Sequence, residues 1–259
     1  MDKINDWDWE FWPITPPGST SSELYDYTTS GVPQAIWYRE EFAETAGYLM
    51  NFQQALRDEF LAGYASLEEA VKAKNMPSVI EGRNFPLEQI GGSRSASFTE
   101  AALKLHAWKT LTIKYEHKKA NQYKINQEAK VKYPTAYNLI EHYGDACGIA
   151  TYSVIEPNSV IDRHTGPENR DGEYLRIHIP LVIPDGDVFF EVLGQVVYWN
   201  DIWGFNNQLI HSAHNYTNQY RLVFIIDLRR TAIGLEPGEP FNAEWQLNAK
   251  PFMRIKNEY

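Results

Sequence analysis

Seven histidines occur in the chain, and two of them, His164 and His211, stand in settings that suit a metal ligand. Imidazole is a common neutral nitrogen ligand for iron, and mononuclear oxygen-activating sites usually add a carboxylate two positions after the first histidine. The run His164-Thr165-Gly166 has the histidine but puts glycine in the carboxylate position. His211 follows 47 residues later (211 − 164), in Leu209-Ile210-His211-Ser212. Spacing alone leaves two readings open, a metal pair or two unrelated histidines, because seven histidines supply many pairs.

A second group of chemically capable residues is cationic. Side chains alternate between the faces of a strand. Over residues 174–183, Arg176, His178 and Pro180 therefore share one face, and Leu175, Ile177, Ile179 and Leu181 the other. Over 220–228, Arg221, Val223 and Ile225 oppose Leu222, Phe224 and Ile226. Both runs are apolar enough to be central strands. Either the arginines sit near strand ends and reach solvent, as most do, or they are buried and need an anion. No matching run of inward acidic residues is visible on neighbouring strands, so the expected partner is a bound carboxylate.

These residues lie in the second half of the chain, where short β-rich runs cover 149–155, 174–183, 188–192, 195–199, 201–205, 209–213 and 220–228. Turn signals such as Pro184-Asp185-Gly186-Asp187 and Leu193-Gly194 separate them. Seven or more short strands punctuated in this way predict a sandwich or barrel of the jelly-roll kind. The first half reads differently. Residues 40–74 carry a helical pattern, with Leu56, Phe60 and Tyr64 at four-residue spacing and Leu67 and Ala70 on a following turn. Ser66 is the expected N-cap of that turn. Trp108 to Ile113 reads as a strand, and Pro134 opens a helix that runs to Tyr143 and ends at Gly144.

The expected organisation is an N-terminal arm over 1–45, anchored by Trp7, Trp9, Phe11 and Trp12, and a domain over 46–235 whose β core spans 146–230. Residues 76–97 read as a loop and 236–259 as a tail that acts as a lid, a docked segment or an oligomer contact. A net charge of −10 argues against a polyanionic partner such as nucleic acid or an anionic membrane. The single Cys147 precludes an intramolecular disulfide and suits a reducing cytoplasm. No apolar run approaches the ~18 residues of a membrane span.

Taken together in order, the motifs resemble the catalytic domain of aspartyl/asparaginyl β-hydroxylases. The resemblance is carried by Tyr152-Ser153-Val154-Ile155-Glu156-Pro157, His164-Thr165-Gly166-Pro167-Glu168-Asn169 and Leu175-Arg176-Ile177-His178-Ile179-Pro180-Leu181. It continues through Phe205-Asn206-Asn207 to His211 and Tyr220-Arg221-Leu222-Val223-Phe224-Ile225-Ile226-Asp227. It covers roughly residues 50–235 and is specific from 146 to 228. It implies a mainly β chain with flanking N-terminal helices, folded as a double-stranded β-helix that uses Fe(II), 2-oxoglutarate and O2. His164 and His211 would be the metal ligands, with Gly166 leaving an open coordination position. Arg221 and Ser153 would bind the distal carboxylate of 2-oxoglutarate, and Arg176 and His178 the end that chelates iron. The chain departs from the family pattern in a longer segment around Arg170-Asp171-Gly172, in Asn206-Asn207 where an acidic pair is usual, and in His214 where an aromatic residue is usual. His214 is either a substrate contact or a polar residue at a strand end.

The reaction implied is hydroxylation of an unactivated C–H in an amino-acid-like small molecule or peptidyl side chain, with succinate and CO2 as co-products. No side chain is assigned as a general acid or base, because such chemistry runs at the metal. Radical halogenases are similar in having His-x-Gly, so chloride at the open position is an alternative. A jelly-roll binding module without turnover is the non-enzyme alternative.

Overall fold

The computed structural model describes residues 25–26, 34–76, 108–117, 122–164, 166, 169, 171–209, 211–240 and 252–253. The expected anchors Trp7, Trp9, Phe11 and Trp12, and nearly all of the expected loop over 76–97, lie outside them.

In chain order, strands β1 (Tyr25–Asp26) and β2 (Ile36–Tyr38) precede helices α1 (Ala43–Met50), α2 (Gln53–Leu61) and α3 (Leu67–Ala73). Then come β3 (Trp108–His117), β4 (Gln122–Ile125), the single turn α4 (Ala129–Lys132) and α5 (Pro134–Tyr143). The β-rich half comprises β5 (Cys147–Ile155), β6 (Ser159–His164), β7 (Tyr174–Val182), β8 (Val188–Val192) and β9 (Gln195–Tyr198). It ends with β10 (Trp203–Phe205), β11 (His211–Asn215) and β12 (Arg221–Arg229), and β13 (Phe252–Met253) lies in the tail.

A seven-stranded sheet in the order β2-β10-β7-β12-β5-β3-β4 faces a four-stranded sheet in the order β6-β11-β8-β9, and β1 pairs with β13 apart from both. Every pairing is antiparallel. This is the expected double-stranded β-helix with helices laid on one side. Strand β2 falls within the segment expected as an arm, yet it forms the edge of the large sheet. Three apolar or aromatic residues there were too short a run to read as a strand.

The helices depart from one continuous pattern. Gly63 takes φ +84°, a left-handed conformation that ends α2 before Tyr64 can continue it. Ser66 then caps α3, its hydroxyl accepting from the Glu69 amide at 3.1 Å. Pro134 opens α5 and Gly144 terminates it at φ +50°.

The central strands separate two cores. Leu175, Ile177, Ile179, Leu222, Phe224, Ile226, Tyr152 and Val154 pack on the helices. On the opposite face Ile155, Val223 and Ile225 meet Phe190, Val192, Trp199, Trp203 and Phe205 between the sheets. The alternation read from 174–183 and 220–228 is thus the division between a helix-side core and an inter-sheet interior. Among the described residues no helix is long and apolar enough to cross a membrane.

Candidate active site

The inter-sheet interior collects the polar residues singled out above. On β12, Arg221 is only 1% exposed. Its Nη1 donates to the Ser153 carbonyl at 3.3 Å and its guanidinium lies 4.6 Å from the centre of the Trp199 ring. Among the described residues no carboxylate pairs with it, and its Nε has no hydrogen-bond partner. Burial pushes its pKa down to about 9. Desolvation of a charge is costly unless an anion offsets it. The interior therefore presents a buried cation whose charge a carboxylate would offset.

His178, on β7, is also buried. Its Nδ1 accepts the Trp199 indole N–H at 3.1 Å. A neutral imidazole carries one proton, so that proton sits on Nε2, which is buried without an acceptor among the described residues. Burial, then the charges of Arg221 and Arg176, hold its pKa well below the ordinary histidine value. The ring stays neutral and acts as a donor. Trp203 is the direct cross-strand partner of His178, and its Nε1–H is a third buried donor without an acceptor among those residues. The spacing of family motifs did not mark this residue, because indole is most often a core filler and the sequence does not show which indole loses its acceptor.

Ser153, on β5, faces the same interior, opposite Val223 of β12 and Thr110 of β3. Its hydroxyl accepts from Trp108 Nε1 at 3.0 Å, which leaves its own O–H available to donate.

Arg176 differs from the expectation of a buried cation without an acidic neighbour. Asp227 of β12 is its direct cross-strand partner, and the two form a bidentate pair at 2.8 Å for both Nε–Oδ1 and Nη2–Oδ2. The acid escaped the sequence reading because it lies at the far end of β12, one residue beyond the strongly apolar run. The argument from a missing anion therefore rests on Arg221 and not on Arg176.

The two candidate metal ligands meet through the backbone. His211 of β11 and His164 of β6 are direct cross-strand partners, with a register shift between His211 and Ala213. The side chain of His164 lies outside what is described. The His211 ring packs against Phe205 and Phe190, with centroids 4.8 and 5.6 Å away, and the same two rings touch His178 at 5.3 and 5.2 Å. His211 Nδ1 lies 2.7 Å from the Leu209 carbonyl. A carbonyl can only accept, so Nδ1 carries a proton, and a neutral ring would then offer Nε2 as the nitrogen that ligates a metal.

Gly166 stands beside this pair. Its N–H donates to the Asn207 carbonyl at 2.6 Å, and a Cβ added to it would collide with Asn207 Nδ2. That amide has a fixed orientation. The Tyr174 main chain clamps Asn169 through N–H to Oδ1 at 3.0 Å and Nδ2–H to C=O at 2.8 Å. Asn169 Nδ2 then donates to Asn207 Oδ1 at 2.9 Å, which turns Asn207 Nδ2 toward Gly166. Asn206 folds back to accept the Gln208 amide at 3.1 Å. The Asn206-Asn207 pair thus builds the turn ahead of His211 and fills the side-chain space at position 166.

The longer segment meets residues 238–239 at Gly172. Gly172, at φ +68°, is so close to the Glu239 main chain that neither it nor Gly238 could carry a Cβ without collision. His214 lies on the outer face of the small sheet, stacked on Phe189 with centroids 4.5 Å apart and bonded to Ser212 and Tyr216. It is a strand residue turned away from the interior. Cys147 is buried, and burial pushes its thiol up to about 12, which makes it inert.

No curated protein matches the sequence. Among solved structures, a prolyl hydroxylase from Trichoplax adhaerens, solved with a hypoxia inducible factor peptide fragment, is 12% identical, with a TM-score of 0.39 over 75% of this chain and 93% of that one. A 2OG-Fe(II) oxygenase family oxidoreductase from Burkholderia pseudomallei is 11% identical, with a TM-score of 0.33 over 52% and 71%. A Cupin 2 conserved barrel domain protein from Salinispora arenicola is 13% identical, with a TM-score of 0.24 over 33% and 66%. The sequence family is more direct. Residues 53–231 match the family described as aspartyl/asparaginyl beta-hydroxylase, and the match runs from α2 through β12, with α1 and the edge strand β2 outside it. The chain belongs to the aspartyl/asparaginyl beta-hydroxylase family.

Proposed function

We propose that this hydroxylase uses Fe(II), O2 and 2-oxoglutarate to oxidise an unactivated C–H of an amino-acid-like small molecule or a peptidyl side chain, with succinate and CO2 as co-products. The observation that carries the reading is Arg221, a buried guanidinium without a carboxylate partner among the described residues, beside the buried Nε2–H donor of His178. A dicarboxylate fits that donor set. Arg221 and the Ser153 hydroxyl would take its distal carboxylate, while His178, with Arg176 held in place by Asp227, would lie toward the end that meets the metal. His211, through Nε2, and His164, its cross-strand partner, would hold the iron.

Bound iron and 2-oxoglutarate supply the oxidative chemistry through decarboxylation of the co-substrate. The chain's own residues do the rest. Arg221 binds and orients an anion, His178 donates a hydrogen bond without changing protonation, and the Phe190, Phe205, Trp199 and Trp203 rings exclude water. Anaerobic addition of Fe(II) and 2-oxoglutarate is expected to give a weak visible charge-transfer band, and its absence from folded, iron-loaded protein would overturn the reading. A screen of amino acids and peptides for succinate release then identifies the substrate class.

Halogenation is a second reading, kept by the glycine at position 166 where a metal carboxylate is usual. Product mass spectrometry at saturating chloride separates the two: hydroxylated product alone removes the halogenase reading.

A further inference from the structure

Two anion-binding groups of the interior depend on one side chain that the family motifs do not include. Trp199 follows β9 in the turn toward β10 and is 2% exposed. Its indole N–H donates to His178 Nδ1 at 3.1 Å, with the rings nearly parallel at 11°. The Arg221 guanidinium sits over the Trp199 ring, 4.6 Å from its centre. We propose that Trp199 is a positioning residue that sets the His178 tautomer and the Arg221 guanidinium together, and so prepares the interior for a dicarboxylate. The inference rests on the 2-oxoglutarate reading above.

The physical case has two parts. Neutral imidazole in water interconverts between tautomers of similar energy, so one buried hydrogen bond is enough to select between them. With Trp199 donating to Nδ1, the proton must be on Nε2. The other tautomer would set two N–H groups against each other. His178 Nε2–H is a buried donor without an acceptor among the described residues, and so is the group that a carboxylate oxygen would meet. The second part concerns Arg221. Among the described residues its hydrogen bond is to the Ser153 carbonyl at 3.3 Å, and no carboxylate holds it. A flat indole face supports a planar guanidinium and leaves its edge donors directed outward, where a carboxylate can take them in fork geometry. Phenylalanine would supply the face but not the donor. Leucine would supply neither.

The experiment pairs a tautomer measurement with ligand binding in the full-length chain. Long-range 1H–15N spectra of 15N-histidine-labelled protein report which ring nitrogen is protonated, and His178 is assigned by loss of its signals in His178→Gln. Wild type is expected to show only the Nε2–H form. Trp199→Phe is expected to show a mixture or the Nδ1–H form and to weaken 2-oxoglutarate binding in calorimetry by about tenfold. Trp199→Leu should weaken it further, by about a hundredfold, because the guanidinium loses its platform as well. Trp199→Phe with an unchanged tautomer and unchanged affinity would overturn the assignment. So would Nδ1–H in wild type, a result that needs no variant to fold. Wild type that binds iron but not 2-oxoglutarate or succinate overturns the functional reading itself, an outcome distinct from the first two.

Discussion

The large sheet has two faces, and they treat polar groups in opposite ways. On the helix side, the Glu59 carboxylate accepts the Thr135 and Ala136 amides at the start of α5 and the Tyr152 hydroxyl at 2.9 Å. Burial, then Glu59, keep the Tyr152 phenol protonated by raising its pKa well above the ordinary value. Those groups satisfy one another. On the inter-sheet side, Arg221 Nε, His178 Nε2 and Trp203 Nε1 are all buried donors without acceptors among the described residues. An unsatisfied buried donor costs about 1–3 kcal/mol, so the second face gives up stability that the first retains. The difference separates a scaffold face from the face proposed to bind the co-substrate, without reference to any motif.

This contrast can be broken at several points, beginning with the largest effect. His211→Ala or His164→Ala is expected to remove iron binding and lower succinate release at least about 100-fold, with the far-ultraviolet circular dichroism unchanged. Retained turnover in either variant would place the metal elsewhere. Arg221→Leu should weaken 2-oxoglutarate binding about 100-fold while leaving the unliganded protein as stable as wild type or more so, because it removes a buried charge. Thermal melts with and without 2-oxoglutarate measure both. A marked loss of stability without ligand would show that Arg221 belongs to the scaffold.

Glu59→Ala tests the other face. It should destabilise by about 2–3 kcal/mol, because two helix amides and a phenol lose their acceptor, yet leave the affinity of folded molecules for 2-oxoglutarate unchanged. Chemical denaturation and calorimetry on the same sample check the pair of effects. The smallest effect is a pH dependence. The folded pKa of His178 is depressed, so below about pH 6.5 the unfolded chain takes up a proton that the folded chain refuses. Stability is expected to fall with falling pH there, by at most about 1.4 kcal/mol per unit, until the folded pKa is reached. His178→Gln should flatten that slope.

Much of the large sheet was legible because its central strands are long and alternate cleanly. Arg176, His178 and Arg221 stood out as polar residues in apolar company, and the structure puts His178 and Arg221 in one interior. Strand β6 was not legible, since Ser159-Val160-Ile161-Asp162-Arg163-His164 mixes charged and apolar residues and pairs on only one side, with β11. The Asp227 partner of Arg176 was missed because pairing across strands depends on register, and register is set by the whole sheet. The role of Asn207 was hidden for the same reason. It needs Asn169, 38 residues away, to turn its amide, and a local sequence window contains no trace of that.

His211 and His164 are cross-strand partners on one antiparallel ladder. Paired residues on such a ladder hold their Cα atoms about 4.5–5.5 Å apart, whatever side chains surround them. If both rings grip one ion, the bite of that chelate is written in main-chain hydrogen bonds. The stretch that meets Glu239 at Gly172 can then drift in sequence while the chelate keeps its span. Substrate range and metal grip would be separately adjustable parts of one small machine.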